Sequence, residues 1–179
     1  MAIEIEKKFR LTEEQRAQII ERLKTLSAES SEKEFEVNTI YRNATLEADN
    51  AILRLRRVGN RSLLTYKRRF LSESSIKRQL EEETEVADAD IIARILAHLG
   101  FSPTLVYEKY RTTWQHGGTE ITIDDLPFGR FMEIEGEAEA IESVERELGV
   151  EGLQSEEATY PALTRQHGKL NGEVIEARF

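Results

Sequence analysis

The sequence has no cysteine, which excludes disulfides, thiolate metal sites and thiol nucleophiles. Proline (3 residues) and glycine (10 in 179) are too sparse to form a linker that divides the chain. No stretch approaches the ~20 apolar residues of a membrane span, and the N-terminus lacks the basic start and apolar core of a secretory leader. A cytoplasmic protein that does not engage membranes is the expectation. Basic charge is also short: 25 Lys and Arg against 34 Asp and Glu give a net charge of -9, which argues against general nucleic-acid binding. What is present is a chain 33% charged and 39% apolar with clear apolar periodicity, enough for one domain over residues 1–179 with a working core.

Four helices are expected. Thr12 and Gln15 make a capping box that opens a helix to about Ser27, with Ile19, Ile20 and Leu23 on one side. Asp88 caps a second helix carrying Ile91, Ile92, Ile95, Leu96 and Leu99, stopped by Gly100. A third spans about Ala140 to Leu148 and ends at Gly149, and a fourth has Pro161 in its first turn and ends at Gly168. The remainder reads as eight strands, about 3–10, 35–42, 51–58, 62–70, 76–86, 105–115, 119–125 and 130–137. Turn signals at Gly59-Asn60, Gly117-Gly118 and Leu126-Pro127-Phe128-Gly129 separate several of them. Short connections imply antiparallel pairing, and a sheet of ~8 strands curls or closes.

Alternate residues share a face of a strand, and here like charges share faces. Glu4, Glu6 and Lys8 oppose Ile3, Ile5 and Phe9; Arg54 and Arg56 oppose Leu53 and Leu55; Lys67 and Arg69 oppose Leu64 and Tyr66. Further along, Glu81, Glu83 and Glu85 share a face, as do Lys109 and Arg111, Thr122 and Asp124, and Glu133 and Glu135, the last pair opposite Met132 and Ile134. A single such face is ordinarily a solvated one. Amphipathic helices, however, need an apolar sheet face to cover. If they cover the outside of a closed barrel, the charged faces line its lumen. Carboxylates on one wall suit a hard divalent cation, Mg²⁺ or Mn²⁺, and Lys and Arg on the other suit phosphate oxygens. A metal-bound polyphosphate satisfies both.

The ordered set Glu4-Ile5-Glu6-Lys7-Lys8, Leu53-Arg54-Leu55-Arg56, Thr65-Tyr66-Lys67, the Glu-rich fifth strand, Lys109-Tyr110-Arg111 and Asp124 ahead of Gly129-Arg130-Phe131-Met132-Glu133-Ile134-Glu135 resembles the CYTH family, the triphosphate tunnel metalloenzymes. The resemblance runs from Ile3 to Tyr160-Pro161. It implies an α+β fold, an eight-stranded antiparallel closed β-barrel (a tunnel) with helices packed on the outside. It implies a small-molecule triphosphate substrate, Mg²⁺ or Mn²⁺ as cofactor, and a metal-dependent phosphohydrolase. Two alternatives stand beside this: a class IV adenylate cyclase making cyclic AMP and pyrophosphate from ATP, or a non-catalytic nucleotide or polyphosphate binder. A homodimer is compatible with all three.

Carried over residue by residue, Glu4, Glu6, Glu133 and Glu135 correspond to metal-side acids, and Lys8, Arg54, Arg56, Lys67, Lys109 and Arg111 to phosphate-binding bases, which Arg69 joins by alternation. Lys67, Glu83, Glu85 and Asp124 are the candidate catalytic groups, with the register of the fifth strand left open by the extra Glu81. In the second strand Asn38-Thr39-Ile40-Tyr41-Arg42 puts Ile40 where thiamine triphosphatases carry a Tyr, which lowers thiamine triphosphate as a substrate; sliding to Tyr41 would change its face. Class IV cyclases tend to carry a His-Phe lead-in, which the chain begins too late to hold. His98, His116 and His167 have no metal-ligand spacing, and Trp114 reads as a packing residue. Of Lys67-Arg68-Arg69 only Arg68 faces outward, and Glu137 to Glu147 reads as a solvated helix face.

Overall fold

The computed structural model describes residues 2–70 and 77–179, without the side chains of Ala2, Ile3, Arg69, Lys77 and Arg78. The expected roles of Arg69 as a base and Ile3 as an outward residue therefore lie outside the described residues, as does the start of the strand expected at 76.

The first strand, β1 (Ala2–Leu11), runs into the expected capping box: Thr12 Oγ1 accepts the Gln15 N–H at 3.1 Å and the Gln15 side chain accepts the Thr12 N–H at 2.8 Å, opening α1 (Glu13–Thr25). Then come β2 (Glu29–Ser30), β3 (Glu34–Arg42), α2 (Ala44–Ala48), β4 (Ala51–Val58), β5 (Arg61–Arg69) and β6 (Lys77–Glu85). They are followed by α3 (Ala89–His98), β7 (Ser102–His116), β8 (Thr119–Leu126), β9 (Gly129–Glu135), α4 (Ala138–Leu148), α5 (Tyr160–His167), β10 (Lys169–Asn171) and β11 (Val174–Ala177). The eight expected strands are β1 and β3 to β9. Their hydrogen-bonded order β7-β3-β4-β5-β6-β1-β9-β8 closes because β8 also pairs with β7, all antiparallel.

Four short elements, β2, α2, β10 and β11, escape the sequence reading because each has five residues or fewer and no periodicity to display. β7 starts at Ser102, earlier than expected: Pro103 sits opposite Tyr41, where the register shifts between Ile40 and Tyr41, and so interrupts an otherwise legible strand. β11 pairs parallel to β7 along Leu105–Tyr107, extending the wall beyond β8.

The helices cover the apolar outer face. Ile19 and Leu23 of α1 and Ile141, Val144 and Leu148 of α4 pack on Phe9, Trp114, Ile121, Ile123, Met132 and Ile134. α3 covers Tyr41 and Leu55 through Ala89 and Leu96. The Glu137–Glu147 run is not wholly solvated: Glu145 is buried and its carboxylate meets Lys7 Nζ at 2.5 Å. α5 lies across one end of the barrel, where Tyr160 and Leu163 pack on the inward-facing Ile40, Leu105, Tyr107 and Phe131. Ile40 thus points inward and Tyr41 outward, so the slide that would bring Tyr41 into the lumen does not occur.

Candidate active site

The inward faces enclose a cavity of about 440 Å³ that touches every barrel strand. Cross-strand register explains which side chains meet, because residues directly opposite share a face. Arg54 stands opposite Thr65 and Ile40, Thr65 opposite Glu83, Lys67 opposite Glu81, Glu4 opposite Gln79, Glu6 opposite Glu135, Lys8 opposite Glu133, and Arg111 opposite Asp124. Glu4, Glu6, Lys8, Arg54, Arg56, Lys67, Glu83, Lys109, Arg111, Glu133 and Glu135 all line the cavity, together with Glu81. Glu85 does not join them: it lies exposed at the strand end opposite Leu63.

Asp124 is wholly buried behind the lining. Arg111 holds it with two bonds, Nε to Oδ1 at 2.7 Å and Nη2 to Oδ2 at 2.6 Å, and Tyr160 Oη donates to Oδ2 at 2.7 Å. Lys109 Nζ lies 3.4 Å from both Asp124 and Glu36. Glu36, which sequence reasoning missed, is 2% exposed, 3.6 Å from Arg56 Nε, and accepts from Asn38 at 3.2 Å. Burial works against its charge, but Lys109 and Arg56 outweigh it and hold the carboxyl far below the ordinary range. Burial and the neighbouring Arg111 bring Lys109 down to about 8. Glu133 takes Lys8 Nζ at 3.1 Å and Arg111 Nη2 at 2.7 Å; these cations overcome burial and keep it ionised. Lys8 Nζ also sits 3.9 Å above the Tyr160 ring.

Around β6, β1 and β9 the balance reverses. Lys67 pairs with Glu81 and lies 3.4 Å from Glu4, which also accepts from Gln79 Nε2 at 2.9 Å. Burial and the adjacent Glu81 push Glu4 up to about 7. Burial and Glu120, a further lining residue that sequence reasoning missed, push Glu135 up to about 7. Arg54 bridges the two regions, reaching Thr65 at 3.3 Å, Glu83 at 3.4 Å and Glu81 at 3.5 Å.

Among the described residues no three His, Asp or Glu side chains converge on one ion position. The acids nevertheless fit a divalent cation by donor chemistry: they are all carboxylates in one cavity, and burial together with mutual crowding raises two of them to about 7, a cost that a hard cation would relieve. Glu4, Glu6 and Glu135 of the expected set are suited to hold it, with Glu120 beside them, whereas Glu133, expected among them, is engaged by Lys8 and Arg111.

The residues set aside from the sequence are accounted for locally. His116 Nε2 lies 2.8 Å from Glu147, His167 stacks on Phe128, and Trp114 packs in the core under α1 and α4. No described helix is long and apolar enough to cross a membrane.

A family model described as the CYTH domain matches residues 2–160. No curated protein matches the chain. Among solved structures, the PH1819 protein of Pyrococcus horikoshii is 27% identical, with a TM-score of 0.74, over 91% of this chain and 98% of its own. The PH1012 protein of the same organism is 24% identical, with a TM-score of 0.76, over 88% and 96%. HpAC1 of Hippeastrum, an adenylyl cyclase by name said to reveal a dominant triphosphatase activity, is 20% identical, with a TM-score of 0.70, over 97% and 99%.

Proposed function

The chain belongs to the CYTH family, and from that premise we propose that it is a divalent-metal-dependent phosphohydrolase acting, with Mg²⁺ or Mn²⁺, on a triphosphate held in the barrel lumen. The observation that carries the reading is the sorting of charge in one enclosed cavity, with bases gathered around Asp124, Glu36 and Glu133 and crowded acids around Glu4 and Glu135. Lys8, Arg54, Arg56, Lys67, Lys109 and Arg111 bind the phosphate oxygens and stabilise charge on the phosphoryl group in transfer. Asp124 and Glu133 aim Arg111 and Lys8, while Glu36 aims Lys109 and Arg56. Glu4, Glu6, Glu135 and Glu120 would hold the cation, which when bound would neutralise phosphate charge. A water attacks the terminal phosphorus in line, the bridging oxygen leaves with pyrophosphate or the organic diphosphate, and the proton of the water passes to a lumen carboxylate. The triphosphatase activity ascribed to the Hippeastrum protein supports the hydrolase side of this reading.

The test is a panel of inorganic triphosphate, ATP and thiamine triphosphate, each with Mg²⁺, Mn²⁺ and Ca²⁺, with the products identified. Orthophosphate release from inorganic triphosphate is expected. Cyclic AMP and pyrophosphate from ATP would replace the hydrolase with a cyclase, and tight binding without turnover in any metal would leave only a sensor.

A further inference from the structure

At the end of the cavity beneath α5 the lining changes. Beyond Arg54 the next inward residue of β4 is Ile52, and beyond Ile40 the next on β3 is Arg42, one inward step of ~7 Å along the strand. Arg165, Pro161 and Ala162 of α5 close the same end, with Asn50, whose backbone is left-handed at φ 52°. Neither guanidinium has a hydrogen-bond or ion-pair partner among the described residues, and Arg42 Nε is buried with no acceptor. This differs from the bases deeper in the lumen, where Arg54, Lys109 and Arg111 each have a carboxylate within 3.5 Å. Burial and the nearby Arg42 lower the Arg165 pKa, with Glu47 opposing them at a distance too long for an ion pair. Two neighbouring guanidiniums, Arg42 half-buried and Arg165 exposed, with Glu47 the nearby acid and no ion pair made among the described residues, repel each other in a way that a phosphate, matched by guanidinium geometry, would relieve.

We propose that Arg42 and Arg165 form a second anion subsite at the α5 end of the tunnel, continuous with the triphosphate site. The preferred substrate is then a triphosphate that carries a further phosphate group at its far end. This rests on the triphosphate reading above. The extra phosphate can come from a longer linear phosphate chain or from a phosphorylated organic part, so the probes separate the two: inorganic triphosphate, inorganic tetraphosphate, ATP and 3′-phosphorylated ATP.

Dissociation constants of the four probes are measured by calorimetry with Ca²⁺ for the wild-type protein, Arg42→Gln, Arg165→Gln and, as a control, Arg54→Gln. The wild type is expected to bind tetraphosphate, or 3′-phosphorylated ATP, about tenfold more tightly than its shorter counterpart, a difference of ~1.4 kcal/mol. That ratio should fall towards one in Arg42→Gln and Arg165→Gln and persist in Arg54→Gln, which weakens both members of a pair alike. A preference confined to tetraphosphate identifies a phosphate chain, and one confined to the nucleotide pair identifies a phosphorylated organic group. A wild-type ratio of one in both pairs overturns the subsite, as does a ratio that survives both mouth variants. Failure of the wild type to bind inorganic triphosphate at all would instead sink the parent reading, so the two failures are distinguishable.

Discussion

The two sides of the lumen are built on opposite electrostatic plans. Around Asp124 every charge has an answer: Arg111 grips it with two bonds, Tyr160 donates to it, and Lys109 stands between it and Glu36. Around Glu4 and Glu135 carboxylates face carboxylates, and Lys67 is a base that both feel. The first side is held by these contacts with no ligand present, so under the proposed reading phosphate would bind there with little rearrangement. The second gathers carboxylates whose burial and mutual repulsion a divalent cation would relieve. A folded protein tolerates the second plan because the first supplies compensating order a few strands away.

The largest expected effect tests the crowded side. Removing divalent ions with EDTA should cut triphosphate turnover about a thousandfold, equivalent to ~4 kcal/mol of barrier, and Glu6→Gln should recover part of its loss as Mn²⁺ is raised. Turnover that persists in EDTA breaks the contrast outright. Next comes Asp124→Ala, which strands Arg111, Lys109 and Tyr160 in a buried pocket and should cost ~3–5 kcal/mol in urea unfolding. Glu135→Gln, on the other side, should raise ligand-free stability at pH 8 by ~1 kcal/mol. If the two substitutions destabilise equally, the sides do not differ as described.

A pH series sharpens the comparison further. Glu4 and Glu135 stand at about 7 in the folded protein against 4.5 ordinarily, so between those values the native state holds protons that the unfolded chain has released. Ligand-free stability should therefore fall as pH rises from about 5 to 7.5, by roughly 5 °C in melting temperature. Mg²⁺ or Mn²⁺ should flatten that slope by binding the ionised form. Glu36 and Glu133 are shifted the other way, and their contribution is lost only at more acidic pH. A melting temperature that rises through the window without metal would contradict the crowding. The smallest effect belongs to Arg56→Lys, which keeps the charge but loses the planar fork, and should weaken triphosphate binding about three- to tenfold. Full restoration by Lys would show that charge alone matters at that position.

The barrel was legible because its inward residues come in like-charged pairs, Arg54 with Arg56 and Glu133 with Glu135, and such pairs keep their meaning whatever the register of neighbouring strands. Glu36 was not, since the strand expected at 35–42 begins past Glu34, which left Glu36 beside Asn38 with no like-charged partner until Lys109 and Arg56 are placed over it. Tyr160 was equally hidden: as the first residue of a helix after a coil segment it carries no periodic signal, and only the path of the chain across the barrel end aims its hydroxyl at Asp124. Glu85 shows the reverse error. The alternation Glu81, Glu83, Glu85 continues without change, but the cavity stops where Leu63 replaces a polar partner. Periodicity tells which face a side chain takes, whereas the depth at which a lumen ends is set by strand stagger, and that is a property of the closed ring.

β1 pairs with β6 through Ala2–Glu6 and with β9 through Glu6–Leu11, so Glu6 belongs to both ladders and the strand is the seam that closes the ring. It bears Glu4, Glu6 and Lys8. Lys8 in turn reaches the carbonyl of Ala158, 150 positions along the chain. Such non-local contacts carry a larger loop-closure cost than the hairpins β4–β5 and β8–β9. Completing the ring and bringing Glu4, Glu6 and Lys8 to the lumen are then one topological step. Without β1 in place, the arginines of β4 still face Glu36, Glu81 and Glu83, but the opposite wall lacks Glu4, Glu6 and Lys8.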